Sequence, residues 1–364
     1  MKKSFLILFS ILLSATACGV KPRPLVYFGD TLEWNTEWRR QQCGMIKPAI
    51  GLPEVSGIAC SRVTPGYIWM QSDDYESKIV ATDEKGINNY KTVKFSKSIR
   101  WDWEDMSGGV YNDTNYLFIG AFGDNDETDG NYSIVYLKEP AIGDVAEETV
   151  VPRTIKFVYP DGHKHNCEAL MYDNIDERIY IITKVYYNVC QVFYMPFRLD
   201  YGDETQTLTY VCDLGVISDI GVNSKNQRCM GFHLVTAADI SPDGKYILIK
   251  NHNNIVALYS WILLFTREEG ESVAETLIRQ RKPEPLYCYE YEWQGEAICW
   301  LDSTTFYTTS DSDGEPPIYK YTKSATALMG VPADRSTNRL VSHNGILYIR
   351  HEDTLYTLTG QKVE

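Results

Sequence analysis

Ala238-Asp239-Ile240-Ser241-Pro242-Asp243-Gly244 is the stretch from which the architecture is read. Proline presets φ and glycine accepts positive φ, so Ser241 to Gly244 turns one strand back onto another. Four other segments share its beginning: Ser56-Gly57-Ile58-Ala59, Glu104-Asp105-Met106-Ser107, Glu168-Ala169-Leu170-Met171 and Glu296-Ala297-Ile298-Cys299. Each puts a polar or small pair before an aliphatic anchor and a small or apolar residue after it. The anchors Ile58, Met106, Leu170, Ile240 and Ile298 are separated by steps of 48, 64, 70 and 58 residues. Recurrence at such intervals is the signature of propeller blades.

The segments downstream of each anchor repeat as well. Second strands are expected at Tyr67 to Met70, Tyr116 to Ile119, Ile179 to Ile182, Tyr246 to Ile249 and Phe306 to Thr308. Third strands come next at Lys78 to Thr82, Ser133 to Leu137, Gln191 to Met195, Ile255 to Trp261 and Pro317 to Tyr321, with fourth strands at Thr154 to Tyr159 and Leu208 to Cys212. The 26 tyrosines and the scarcity of 3.6-period stretches agree with an all-β chain. The expected fold is a single five-bladed β-propeller over residues 53–328, with six blades as the alternative if Gly215 to Val235 is a degenerate unit. Leu25 to Trp34, within an N-terminal segment 18–52, is the expected strand that closes the ring. Residues 329–364 form a separate β-meander of Arg339 to Val341, Ile346 to Arg350 and Thr354 to Leu358, with Asn344-Gly345 and Glu352-Asp353 as turns.

The beginning of the chain has the pattern of an export signal over residues 1–17: Lys2 and Lys3, the apolar run Phe5 to Leu13, then small residues ending at Cys18. A cysteine at that point resembles a lipobox, with Ala15 where leucine is usual. Acylation of Cys18 would anchor the protein to a membrane of the cell envelope, expected to be the outer membrane. The formal charge of −14 becomes −16 once Lys2 and Lys3 are removed, which disfavours nucleic-acid partners. Eight cysteines follow Cys18, and an exported chain with an even number suggests disulfides. Pairing in sequence order closes the shortest loops: Cys43–Cys60, Cys167–Cys190, Cys212–Cys229 and Cys288–Cys299. No CxxC spacing points to a zinc–thiolate site.

In a propeller, the residues before each innermost strand and those after each second strand lie at one face of the ring. The first set contains Glu54, Glu104, Asp105, Glu168, Asp239 and Glu296; the second contains Asp73, Asp124, Asn125, Lys184, His252 and Asp311. Turn capping explains Asp and Asn at strand ends. It does not explain glutamate recurring at Glu104, Glu168 and Glu296. Converging carboxylates hold a hard cation such as calcium, which takes about 6–8 oxygen ligands, and Glu104, Glu168, Asp239 and Glu296 are the expected metal set. His163 and His165 stand on a loop after Pro160-Asp161-Gly162, where a solvated turn is the plainer account. Asp124 to Gly130 looks like a calcium loop but lacks the EF-hand register, since Tyr136 occupies the twelfth position counted from Asn125. Trp101 and Trp103 flank Asp102, either stacking a sugar or packing between blades. There is no GxSxG, HExxH or phosphate-binding glycine loop.

Glu54-Val55-Ser56-Gly57-Ile58-Ala59, Asp102-Trp103-Glu104-Asp105, Gly123-Asp124-Asn125, Tyr159-Pro160-Asp161-Gly162, Cys167-Glu168-Ala169-Leu170, Ala238 to Gly244 and Gly295-Glu296-Ala297-Ile298 occur in this order. Together they resemble a group of poorly characterised secreted bacterial β-propeller proteins. That group is similar in turn to phytase-like and esterase-like propellers, whose acidic loops at one face hold calcium. Gly345 to Ile349 through Leu358 to Gln361 resembles C-terminal segments of exported Bacteroidetes proteins. The resemblance implies a propeller with its acidic loops at one face; the expected function is a binding module for a glycan, peptide or protein, with structural calcium. The competing expectation is a calcium-dependent phosphoesterase, although Lys184 and Lys250 are the only basic residues at the ends of second strands.

Overall fold

Strands sandwiched between neighbours are apolar on both faces, whereas strands at a rim need only alternate. The chain follows that gradient: Val55–Cys60 and Cys167–Asp173 are buried throughout, and Arg153–Val158 alternates. The computed structural model describes residues 25–26, 37–73, 77–96, 102–143, 146–185, 190–214, 233–253, 259–279, 284–311 and 314–324, and in the C-terminal region 338–343, 346–351, 354–356 and 362–363. The expected signal segment and Cys18 lie outside these residues, as do Trp101 and Cys229.

Five antiparallel sheets form the blades. Blade one runs Val55–Cys60, Tyr67–Ser72, Lys78–Asp83 and Lys91–Phe95, from the axis outward. Blade two is Trp103–Tyr111, Thr114–Ala121, Tyr132–Lys138 and Arg153–Val158, and blade three is Cys167–Asp173, Arg178–Thr183, Cys190–Pro196 and Thr209–Leu214. Blade four is His233–Ile240, Tyr246–Asn253, Tyr259–Thr266 and Glu284–Tyr291, and Ile255 of the expected third strand lies outside the described residues. Blade five combines Ala297–Asp302, Thr305–Thr309 and Pro317–Lys323 with Trp38–Met45 from the N-terminal side.

The ring is thus closed by Trp38–Met45, not by Leu25 to Trp34; Leu25–Val26 instead pairs in parallel with the outer strand of blade three. Trp38 explains the choice. It is fully buried, with its ring centroid 5.5 Å from that of Trp300 and 5.3 Å from that of Phe306. Two loops reach backward across the ring: Glu147–Val150 extends blade one and Gln206–Thr207 extends blade two.

Five buried clusters fill the seams between successive blades. Trp69 and Ile79 of blade one meet Met106 and Leu117 of blade two, and Ile58 and Met70 meet Ala297 and Tyr307 of blade five. With every seam filled and the last blade packed on the first, there is no place for a sixth. Residues 215–232 lie outside the described residues. The C-terminal sheet has four strands, Asn338–His343, Ile346–His351, Thr354–Tyr356 and Lys362–Val363, one more than the expected meander. Among the described residues no helix is long and apolar enough to cross a membrane.

The expected sequential disulfides do not form among the described residues: Cys43, Cys60, Cys167, Cys190, Cys212 and Cys299 carry free thiols. Cys167 lies on the innermost strand of blade three and Cys190 on the third. Two inter-strand spacings separate them by about 9–10 Å, beyond the roughly 7 Å Cα reach of a disulfide. Cys43 lies on the outermost strand of blade five, far across the sheets from Cys60 on the innermost strand of blade one. Cys299 faces Cys60 across the closing seam, with the sulfurs 3.4 Å apart, and not Cys288, which is on the outer strand of blade four.

Candidate functional site

An extra residue in the innermost strands of blades one to four sets the geometry of the channel mouth. Register shifts fall between Val55 and Gly57, Trp103 and Met106, Cys167 and Ala169, and Val235 and Ala237. Bulges re-aim side chains at strand ends. The bulged positions are Ser56, Glu104 with Asp105, Glu168 and Thr236; Glu296 stands at the matching point just before Ala297–Asp302. The second strands deliver Asp73, Lys184, His252 and Asp311 at or just beyond their ends nearest the mouth. Members of these two sets and the loops beside them enclose a cavity of about 360 Å³.

Of the residues expected at this face, Asp73, Glu104, Asn125, Glu168, Lys184, His252, Glu296 and Asp311 line the cavity. Glu54 joins them: one carboxylate oxygen each of Glu54, Asp73 and Asp311 lies within 4.8 Å of the others. Asp102 and Gln294 also line it and were not anticipated. Each stands four residues before its anchor, as Glu54 does, and all three have positive φ, at 46° for Glu54, 79° for Asp102 and 43° for Gln294. Non-glycine residues in this region gather at functional sites, but no sequence pattern marks them before the blades are in register. Gly123 is what lets two of the acids approach: a Cβ there would meet Glu104 Oε1 at 2.0 Å and Asp102 Cγ at 2.6 Å.

Three expected residues serve elsewhere. The Asp105 carboxylate accepts the N–H groups of Met106, Leu170 and Ala238 at 2.8, 2.9 and 3.0 Å. Asp239 accepts the Ser107 hydroxyl at 3.0 Å and the Trp300 N–H at 2.8 Å. Both staple the innermost strands of different blades together within the channel. Asp239 is therefore not part of a metal set with the three glutamates. Blade four pairs Ala238, not Ile240, at the anchor level, so Thr236 is the true counterpart of Glu168. Asp124 ties its own loop, accepting the N–H groups of Thr128, Asp129 and Gly130 and the Tyr132 hydroxyl.

Electrostatics divide the mouth into two halves. Lys184 Nζ donates to Glu168 Oε2 at 2.5 Å and lies 3.7 Å from Glu296 Oε1. Burial alone would lower its pKa; Glu168, Glu296 and Glu104 outweigh that and hold the ammonium firmly charged. A cation beside Glu168 and Glu296 is thus the protein's own lysine. Burial pushes Glu104 and Glu296 well above the ordinary carboxylate range, and neighbouring acids add to it. The second half has no such lysine. Burial, then the charges of Asp311 and Glu54, push Asp73 up to about 8, and Asp311 is raised to about 6, first by burial and then by Glu54. His252 is driven down to about 3 by burial and by Lys184 and Lys250, so its ring is neutral.

Other candidates are absorbed by structure. His165 Nε2 is 2.9 Å from Asp161 Oδ2 and its ring packs on Tyr159, so this loop is a braced turn. Trp103 is buried against Phe95 between blades. Lys250 does not line the cavity; it donates to Glu292 Oε1 at 2.7 Å and to the carbonyls of Ala297 and Thr309.

No family model matches the chain, and no curated protein matches it. Solved structures similar to it are distant β-propellers. The PQQ-bound aldose sugar dehydrogenase of Streptomyces coelicolor shares 9% identity at a TM-score of 0.42, covering 80% of this chain and 99% of that one. A structural genomics protein of unknown function from Bacteroides thetaiotaomicron shares 10% at 0.39, covering 78% and 76%. The β-propeller domain of Cps50 (Swd1) from Myceliophteria thermophila shares 12% at 0.33, covering 73% and 82%. Likenesses this remote carry nothing about activity.

Proposed function

We propose that this chain is a lipid-anchored binding protein of the cell envelope whose propeller mouth recognises a positively charged, hydrogen-bonding ligand. The peptide or glycan it takes would carry a protonated amine. One observation carries the reading: six carboxylates and a single, internally paired ammonium line one cavity of about 360 Å³. No Phe, Tyr or Trp side chain and no arginine lines it among the described residues, so neither sugar stacking nor a phosphate grip is favoured. Phosphoester hydrolysis would need that missing positive charge, which argues against the phytase-like alternative. Membrane attachment rests on the Cys18 motif alone; Cys18→Ala should move the protein into the soluble fraction.

The test is binding of matched short ligands to the mature chain by calorimetry: lysyl peptides and amino sugars, their acetylated forms, and phosphorylated forms. Amine-bearing ligands should bind at least tenfold more tightly than acetylated ones, weakening as salt rises. Glu104→Gln with Glu168→Gln should remove the preference. Equal or tighter binding of phosphorylated ligands would overturn the proposal.

A further inference from the structure

The half of the mouth without a lysine is built differently, and we infer that Glu54, Asp73 and Asp311 form a site for a hard divalent cation, calcium above all. The inference deepens the preceding reading, since it supplies the positive charge that this half lacks. The three residues come from the two blades that meet at the closing seam: Glu54 and Asp73 from blade one, Asp311 from blade five. One oxygen of each lies within 4.8 Å of the other two. Calcium–oxygen bonds of about 2.3–2.6 Å place ligands on opposite sides of an ion roughly 4.6–5.2 Å apart. Three oxygens no farther apart than this surround one ion of that size with at most a few tenths of an ångström of adjustment. A ligand set made only of carboxylate oxygens selects hard cations over zinc or copper.

The same half also holds buried polar atoms that the protein itself leaves unsatisfied. Asp73 Oδ1 and Asp311 Oδ1 are buried with no hydrogen-bond partner. Independently, His252 lines the same cavity, is only 6% exposed, and has neither ring nitrogen satisfied. Buried polar atoms without partners are rare in native proteins because each one costs free energy. A hydrated cation satisfies all of them together: the carboxylates bind the ion, and a coordinated water or ligand hydroxyl bonds the neutral imidazole. His252 is thus a positioning residue in the same cavity as the ion. Glu104, Glu168 and Glu296 are not needed as ligands, because Lys184 already balances them.

The experiment uses the mature chain, stripped with EDTA and titrated separately with calcium, magnesium, manganese and zinc. Calcium should bind with one-to-one stoichiometry and raise Tm by a few degrees at a hundredfold excess over Kd. Asp73→Asn with Asp311→Asn should weaken calcium at least tenfold while leaving the far-UV circular dichroism and the Tm in EDTA at or above the parent's. His252→Gln should keep calcium within threefold but lower the affinity of the amine-bearing ligand. A parent protein indifferent to all four ions overturns the inference, and so does calcium binding that survives the double substitution. If the ions fail while lysyl peptides still bind, this inference falls and the proposed function stands. If calcium binds and lysyl peptides do not, the reverse holds.

Discussion

Replacing Asp105 with alanine removes the shared acceptor of three buried N–H groups, those of Met106, Leu170 and Ala238. They belong to three different blades, and the carboxylate is fully buried among them. Each orphaned donor costs about 1–3 kcal/mol. Removing a buried acid whose pKa is pushed well up by burial, despite those N–H groups, returns part of that cost. The expected net loss is about 3–5 kcal/mol, a large share of the roughly 5–15 kcal/mol by which domains are stable. Asp105→Asn keeps one acceptor oxygen and should lose about half as much. Urea unfolding of the mature chain measures both, with an unchanged m-value showing that the same surface is exposed. Hydrogen exchange adds a local readout: the Leu170 and Ala238 amides should lose protection in the alanine variant before the outer strands do. A loss below about 1 kcal/mol for Asp105→Ala, with those amides still protected, would refute the idea that this carboxylate pins the blades together.

Asp239 gives a pH test: burial raises its pKa to about 6, against the pull of the Trp300 N–H and other groups. Unfolded, the group titrates near 3.9, so the folded state keeps a proton that the unfolded chain releases, and stability falls as pH rises from about 4 to 6, by roughly 3 kcal/mol in all. Asp239→Asn should flatten that slope; an unchanged slope in the variant contradicts the assignment. Trp38→Ala should cost about 3–5 kcal/mol by emptying the seam that closes the ring, and a thermal melt within a degree or so of the parent would show that the ring is closed otherwise. Alkylation in denaturant without reductant should label Cys43, Cys60, Cys167, Cys190, Cys212 and Cys299. Recovery of a Cys167–Cys190 bridge would contradict the strand order of blade three.

Read alone, the chain determines the blades. Ser241-Pro242-Asp243-Gly244 makes its turn wherever it is placed, Gly244 at φ 73°, because turn chemistry is local. The apolar anchors recur because every blade buries its innermost strand in the same way. The acidity of the mouth is legible too, since Glu104, Glu168 and Glu296 share one place in the repeat and all line the cavity. What each acid does there is decided only in three dimensions. Side chains alternate along a strand, so one bulge changes the direction in which every later residue points. When the segments are aligned Ala238 falls at the place of Glu168 and Asp239 one residue later, yet the register of blade four gives that place to Thr236 and sends Asp239 to the Trp300 N–H. The partner of Glu168 is Lys184, 16 residues away across a hairpin. The fellows of Asp73 are Glu54 and Asp311, the latter brought beside it only when the last blade packs on the first. Charge coupling depends on distance through space, and the closing strand Trp38–Met45, which completes the last blade, repeats no motif of the blades it joins.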